Sequence, residues 1–134
     1  MRNFNEGINS LINVGLDGLT EANKLYVWLC DLAESDLGPT DVLASATHTS
    51  GTTVLNVTGL TCSARTVDLG GPFSFPEVVG SPKSVAISTK APTTGGSLLV
   101  AVQDINAGAV LNLATNGPVS VDALSILFAY QGEV

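Results

Sequence analysis

Side chains that could do chemistry are scarce in this chain, and those present are not grouped as a reactive site requires. The one histidine, His48, sits in His48-Thr49-Ser50-Gly51, a turn-like stretch in which a solvated ring is expected rather than a general base or a metal ligand. With no second histidine, and with Cys30 and Cys62 lying 32 residues apart without a CxxC pair, the ligand set of a tetrahedral transition-metal centre cannot be assembled. Ser and Asp are abundant enough for a Ser–His–Asp triad by count, yet no G-x-S-x-G elbow or other nucleophile motif occurs. Glu34, Asp36 and Asp41 cluster, but within one loop, which reads as a solvated acidic turn rather than as the two opposed carboxylates of a glycosidase. Asp31 through Gly38 lacks the ligand spacing of a calcium loop. Gly70-Gly71 and Gly95-Gly96 neither end in Lys-Ser/Thr nor open a helix, so they read as turns and not as phosphate cradles. No catalytic residue, metal ligand or cofactor is expected, and the protein is not expected to be an enzyme.

Binding chemistry leaves a little more room. Aromatic residues make up only 5% of the chain. Trp28 and Tyr26 share a strand of core character, whereas a sugar-binding platform would need several exposed coplanar rings. Phe73 and Phe75, at i and i+2, point to the same side; core filling, an interface anchor and a small ligand patch all fit them. Arg65 is a lone base between small residues and is assigned no role.

The elements that would position these groups are mostly strands. The 134 residues suit one domain with a real core. Charged residues are only 13%, about half the usual share, while hydrophobic residues are 45%. A surface so short of charge is either built from Ser, Thr and Asn or covered by other chains. The net charge of −7, with no Lys/Arg cluster, excludes a nucleic-acid footprint and a basic membrane-surface helix. No apolar run approaches the roughly 20 residues of a membrane span. The opening residues turn polar at once, without the apolar region of a signal peptide, so cytoplasmic synthesis is expected. Cys30 and Cys62 each lie in an apolar, strand-like run and are read as buried thiols.

Residues 4–19 form the single helical candidate. Ile8, Leu11, Ile12, Gly15, Leu16 and Leu19 recur at three- and four-residue steps, and Asn3 with Glu6 resembles a capping box. Gly7, Gly15 and Gly18 each weaken it by up to about 1 kcal/mol, so it needs a surface to lie on. Residues 1–22 are therefore read as an arm and helix packing on the domain or on a neighbour, with Phe4, Ile8, Leu11 and Ile12, and then Phe73 and Phe75, as candidate interface residues. From Leu25 the period becomes two. Leu25, Val27 and Leu29 alternate with Tyr26, Trp28 and Cys30, and both faces are apolar, which predicts a central strand covered on both sides. Further strands are expected at Val42–Thr47, Thr52–Val57, Leu60–Val67, Lys83–Thr89, Ser97–Gln103, Val110–Leu113, Pro118–Val121 and Leu124–Tyr130, with Phe73–Pro76 as an edge or a loop. Ile87, Val100 and Ile126 should point inward. Gly95-Gly96 should take positive φ in a hairpin connection. Short strands at this spacing predict a mainly β fold, an antiparallel, jelly-roll-like β-sandwich over 23–134 with one short N-terminal helix.

Several segments, taken in order, carry a family resemblance. They are Asn9-Ser10-Leu11-Ile12 leading into Asn23-Lys24-Leu25-Tyr26-Val27-Trp28-Leu29, then Pro82-Lys83-Ser84-Val85-Ala86-Ile87, then Thr93-Thr94-Gly95-Gly96-Ser97-Leu98-Leu99, and then Ile105 to Leu113. Together they cover about two-thirds of the chain and resemble a group of small tailed-bacteriophage virion proteins, described as head decoration or tail proteins. The chain departs from that pattern at Gly80-Ser81-Pro82 and at Ala109. The resemblance implies a non-catalytic virion structural protein, made in the host cytoplasm. Its first expected role is a capsid decoration or cement subunit acting through contacts with the major capsid protein. A tail or tail-fibre subunit is the alternative, and a carbohydrate-binding module a lower one. A homo-oligomer, a trimer at local threefold positions, is expected.

Overall fold

The computed structural model describes residues 1–4, 7–8, 24–37, 46, 48–49, 53–58, 60, 62–63, 66–78, 80–92, 95, 97–105 and 117–127. Over these residues the protein is mainly β, and all its strand pairs are antiparallel. The strands are β1 (Arg2–Asn3), β2 (Leu25–Cys30), β3 (Leu55–Val57), β4 (Cys62–Ser63), β5 (Thr66–Gly70), β6 (Phe73–Val78), β7 (Ser84–Ser88), β8 (Leu99–Asp104), β9 (Gly117–Val121) and β10 (Leu124–Leu127). A single 3-10 turn covers Glu34–Asp36 within the predicted acidic loop.

The largest sheet has the order β1-β8-β7-β2-β3. Its middle strands carry apolar residues on both faces, as the period-two reading of β2 predicts. Leu25, Val27, Leu29, Val85 and Ile87 join one core cluster, while Trp28, Cys30 and Ala86 join a second on the opposite face. β8 reaches both clusters by means of a bulge. Ile87 pairs with Ala101 and Ser88 with Leu99, so Val100 is the extra residue. The extra residue shifts the pleat by one step. Leu99 and Val102 therefore share the Trp28 face, and Val100 and Ala101 the other.

The remaining strands form a three-stranded sheet in the order β10-β5-β4 and a two-stranded sheet of β6 and β9, and the pairs β5–β10 and β6–β9 follow one another as a bent ribbon. β5 pairs with β10 through Thr66–Leu127, Val67–Ile126, Asp68–Ser125 and Gly70–Leu124. After a corner, the same two chain segments pair again as β6 and β9, through Phe73–Val121, Ser74–Ser120 and Phe75–Val119. The corner is made by Gly70 and Gly71, at φ 75° and 125°, lying across from Asp122-Ala123. A Cβ on Gly71 would stand 2.8 Å from the Cα of Ala123, so the backbones touch there and only glycine fits. Inward residues of the ribbon, among them Val67, Leu69, Phe75, Val119, Leu124 and Ile126, join the same core cluster as Leu25, Val27 and Leu29. Pro76 and Pro118 lie in the two strands of the β6–β9 half and cannot donate a ladder hydrogen bond, which suits strands without further partners.

Two expectations change, and others fall outside the described residues. The run Leu60–Val67 is not one strand: Cys62 pairs with Val67 and Ser63 with Thr66, so the chain reverses between Ser63 and Thr66 into a hairpin. Apolar and polar residues alternate in this run only as far as Arg65, where Thr66 follows as a second polar residue, and the pairing of Cys62 with Val67 across an odd separation accounts for that break. Gly95 needs no positive φ and has open space around its Cβ position; the positive-φ glycines among the described residues are Gly70, Gly71 and Gly80. The helix predicted over 4–19 falls almost wholly outside the described residues, as do Leu11 and Ile12. Gly7 and Ile8 are helical, and the Ile8 N–H donates to the Phe4 carbonyl at 3.0 Å. The strands expected at Val42–Thr47, apart from Ala46, and at Val110–Leu113 also lie outside the described residues.

Three substitutions test this architecture. Gly71→Ala should lower stability by at least about 2 kcal/mol, because a strained φ coincides with a backbone contact. Gly95→Ala should stay within about 0.5 kcal/mol of the parent. Chemical denaturation of both variants checks the pair, and equal losses would remove the corner from the account. Ile126 is fully buried. Ile126→Asp would place a carboxylate without a partner in the core and should leave no folded protein at neutral pH, as read by circular dichroism.

Candidate functional site

His48 is where the sequence offers the best chance of chemistry, and the structure places it differently from expectation. Its ring is half-buried rather than solvated, edge-on to Trp28 with centroids 5.6 Å apart and planes at 75°. An isolated β-bridge joins His48 to Cys30, and the next residue, Thr49, is fully buried. Thr49 N–H donates to the Leu29 carbonyl at 2.9 Å, and its hydroxyl donates to Asp31 Oδ1 at 2.6 Å. Residues 48–49 therefore lie along the end of β2 as a cover for the Trp28 face. Turn-like composition does not reveal this, because the anchoring partners Leu29, Cys30 and Asp31 are distant in sequence. His48 Nε2 is buried and has no hydrogen-bond partner among the described residues. Cys30, opposite it, is a buried thiol whose sulfur accepts from the Leu32 N–H at 3.4 Å.

The buried hydroxyls are consumed by structure. Ser88 Oγ accepts from the Trp28 indole at 2.9 Å and donates to the Lys90 carbonyl at 2.6 Å. Ser97 Oγ donates to that same carbonyl, and Thr89 Oγ1 accepts from the Leu98 N–H. These bonds stitch together the turn between β7 and β8. Ser84 Oγ donates to the Leu32 carbonyl at 2.6 Å. None of these hydroxyls faces a base that would make it a nucleophile.

At the acidic end, Glu34 and Asp104 clasp one another. Glu34 N–H donates to Asp104 Oδ1 at 2.7 Å, and Asp104 N–H donates to Glu34 Oε2 at 2.9 Å. Asp36 Oδ2 accepts from the Ala33 N–H. An open groove of about 220 Å³ runs beside them, lined by Gln103, Asp104, Ile105, Ser120, Val121 and Asp122. It holds two carboxylates, and no cluster of three metal-ligating side chains occurs among the described residues.

The candidate interface residues are placed as follows. Phe4, Ile8 and Phe75 are fully buried and Phe73 is nearly so, all within the chain's own core clusters. Trp28 is also fully buried, so the rings on which sugar binding would rest, Trp28, Phe73 and Phe75, form no exposed platform. What the ribbon shows to solvent among the described side chains is mostly small: Ser74, Pro76, Ser120, Ala123 and Ser125 are exposed, together with Asp68, Asp122 and Leu127. The period-two pattern carried this signal, since these residues, the corner pair Asp122-Ala123 aside, alternate with the inward ones.

Compared with known protein families, curated proteins and solved structures, the chain matches none.

The Trp28 face generates a test. Ser88→Ala leaves a buried indole N–H without its acceptor and should cost about 1–3 kcal/mol. His48→Ala removes a packed ring and should cost about 1 kcal/mol. Both should change the near-ultraviolet circular dichroism of Trp28, whereas a solvated His48 would leave stability and spectrum unaltered.

Proposed function

We propose that this protein is a non-catalytic structural subunit of a virus particle, a capsid decoration or cement protein of a tailed bacteriophage, acting through protein–protein contacts. The observation that carries this reading is the outward face of the ribbon. It is extended, built mostly from Ser, Pro and other small residues with Asp68 and Asp122 as the charges among its described side chains, and backed by a core that absorbs Phe73 and Phe75. Depletion of charge is the compositional mark of an interface core, where desolvating ions is expensive. The same face explains how a chain with only 13% charged residues presents a polar surface. The polar groups that could do chemistry, His48, Cys30 and the buried hydroxyls, are packed into the fold or spent on backbone bonds, which favours a role of contact. The order of sequence segments shared with small phage virion proteins supplies the assembly.

In this reading the five-stranded sheet and the bent ribbon are the two layers of a jelly-roll-like sandwich. Support comes from the core cluster they share. The partner is the major capsid protein, with copies of this chain associated as a closed homo-oligomer.

Mass spectrometry and labelled-antibody microscopy of purified particles test the proposal. The protein should be present in many copies per head, and heads stripped of it should rupture at lower temperature or milder osmotic shock. Adding back the parent should restore resistance. A Ser74→Lys/Ser120→Lys double variant, which places charge on the outward face, should bind heads at least tenfold more weakly while melting like the parent. Localisation to the tail would move the subunit to the other end of the particle, and absence from particles would defeat the reading.

A further inference from the structure

Residues 1–4 and 7–8 belong to a strap that occupies a slot between two strand edges. Arg2 pairs with Val102 and Asn3 with Ala101, so β1 lies on the edge of β8, and the Phe4 N–H donates to the Val100 carbonyl at 2.9 Å. From the same position the Asn3 side-chain amide donates to the Leu127 carbonyl at 2.8 Å, reaching β10 of the ribbon. The strap then crosses from one core to the other. Phe4 fills the cluster around Trp28, and Ile8 fills the cluster between sheet and ribbon. Between them Gly7 lies directly on β8: a Cβ there would overlap the Leu99 carbonyl and stand 3.0 Å from the Val100 Cα. The slot thus asks for an aromatic anchor, a residue without a side chain three positions on, and an aliphatic anchor next to it. The chain's own start meets that requirement, and so does the start of any other copy.

We infer that the strap is exchanged between copies, the slot of one chain receiving residues 1–8 of its neighbour. Exchange preserves the strap's own contacts, which makes it a low-cost route from monomer to oligomer. Residues 9–23 join the strap to β2 and, fully extended, could span roughly 50 Å, enough to reach an adjacent copy. Pairing by β1 uses two of the six residues of β8, so the strap is held chiefly by its two apolar anchors and by Asn3. The inference rests on the homo-oligomeric part of the proposed function. It stands or falls separately from the particle reading, which localisation decides.

Asn3 and Ala101 are register partners, so cysteines at these positions report which chain fills a slot. Full-length Asn3→Cys protein and full-length Ala101→Cys protein are mixed after unfolding, refolded together at high concentration, oxidised, and the disulfides mapped by mass spectrometry. The expected result is a link from position 3 of one copy to position 101 of the other in the oligomeric fraction. It should fall at least tenfold when Gly7→Val is added to the Asn3→Cys chain, because the strap then cannot seat. A chain carrying both cysteines, refolded dilute, should form the link within itself, which shows that the substitutions tolerate folding and that the slot is real. An oligomer that links only within single chains, a link between copies that ignores Gly7→Val, a failure of the doubly substituted chain to link, or a monomer at every concentration would overturn the exchange.

Discussion

A sheet that is apolar on both faces has to be covered twice, and this requirement organises the molecule. β7 is buried along its whole length, and four of its neighbour β2's last four residues are buried as well. One face receives the inward side of the ribbon. The other receives a patchwork: Phe4 from the strap, Leu37 after the 3-10 turn, and Ala46 and residues 48–49 from the segment laid along β2. Burial of this kind supplies most of the stability of a small domain. It also explains why polar atoms next to the sheet, such as the Trp28 indole and the Ser84 and Ser88 hydroxyls, are bonded in place.

Strand identity was largely legible because the period of two survives in local sequence. The two-faced pattern of β2, the inward setting of Ile87, Val100 and Ile126, and the breaks at Gly70-Gly71 and Gly80 are all visible to a reader of residues alone. What escaped were features set by distant partners. The bulge at Val100 depends on where β7 ends. The corner at Gly71 depends on Ala123 arriving opposite it. The reversal between Ser63 and Thr66 left one trace, the broken alternation at Arg65-Thr66, in a run otherwise continuous in its period. His48 looked solvated because its neighbours in sequence are Thr, Ser and Gly, while its neighbour in space is Trp28.

Of the reactive residues that the sequence leaves dispersed, His48 packs on Trp28, and Cys30, Ser84 and Ser88 take part in hydrogen bonds within the fold. The candidate interface residues were chosen for being apolar at the right spacing, which is also what a core requires; Phe4, Ile8, Phe73 and Phe75 went to the core. The exposed Ser and Pro positions of the ribbon give no sign of a partner in the sequence, because their composition is that of an ordinary solvated strand face.

The bent ribbon has a kinetic side as well. β7 and β8 are near neighbours along the chain, and they lie in the stretch that separates β5 and β6 from β9 and β10. Their hairpin can therefore form from local encounters, whereas every rung of the ribbon joins residues from distant parts of the chain, with a correspondingly large loop to close. Folding is expected to raise the β7–β8 hairpin first and zip the ribbon across it last, starting from either side of Gly71. Until that last step the inner face of the sheet stands open to water, which makes the slow closure of the ribbon the interval in which the chain is most exposed to association with its neighbours.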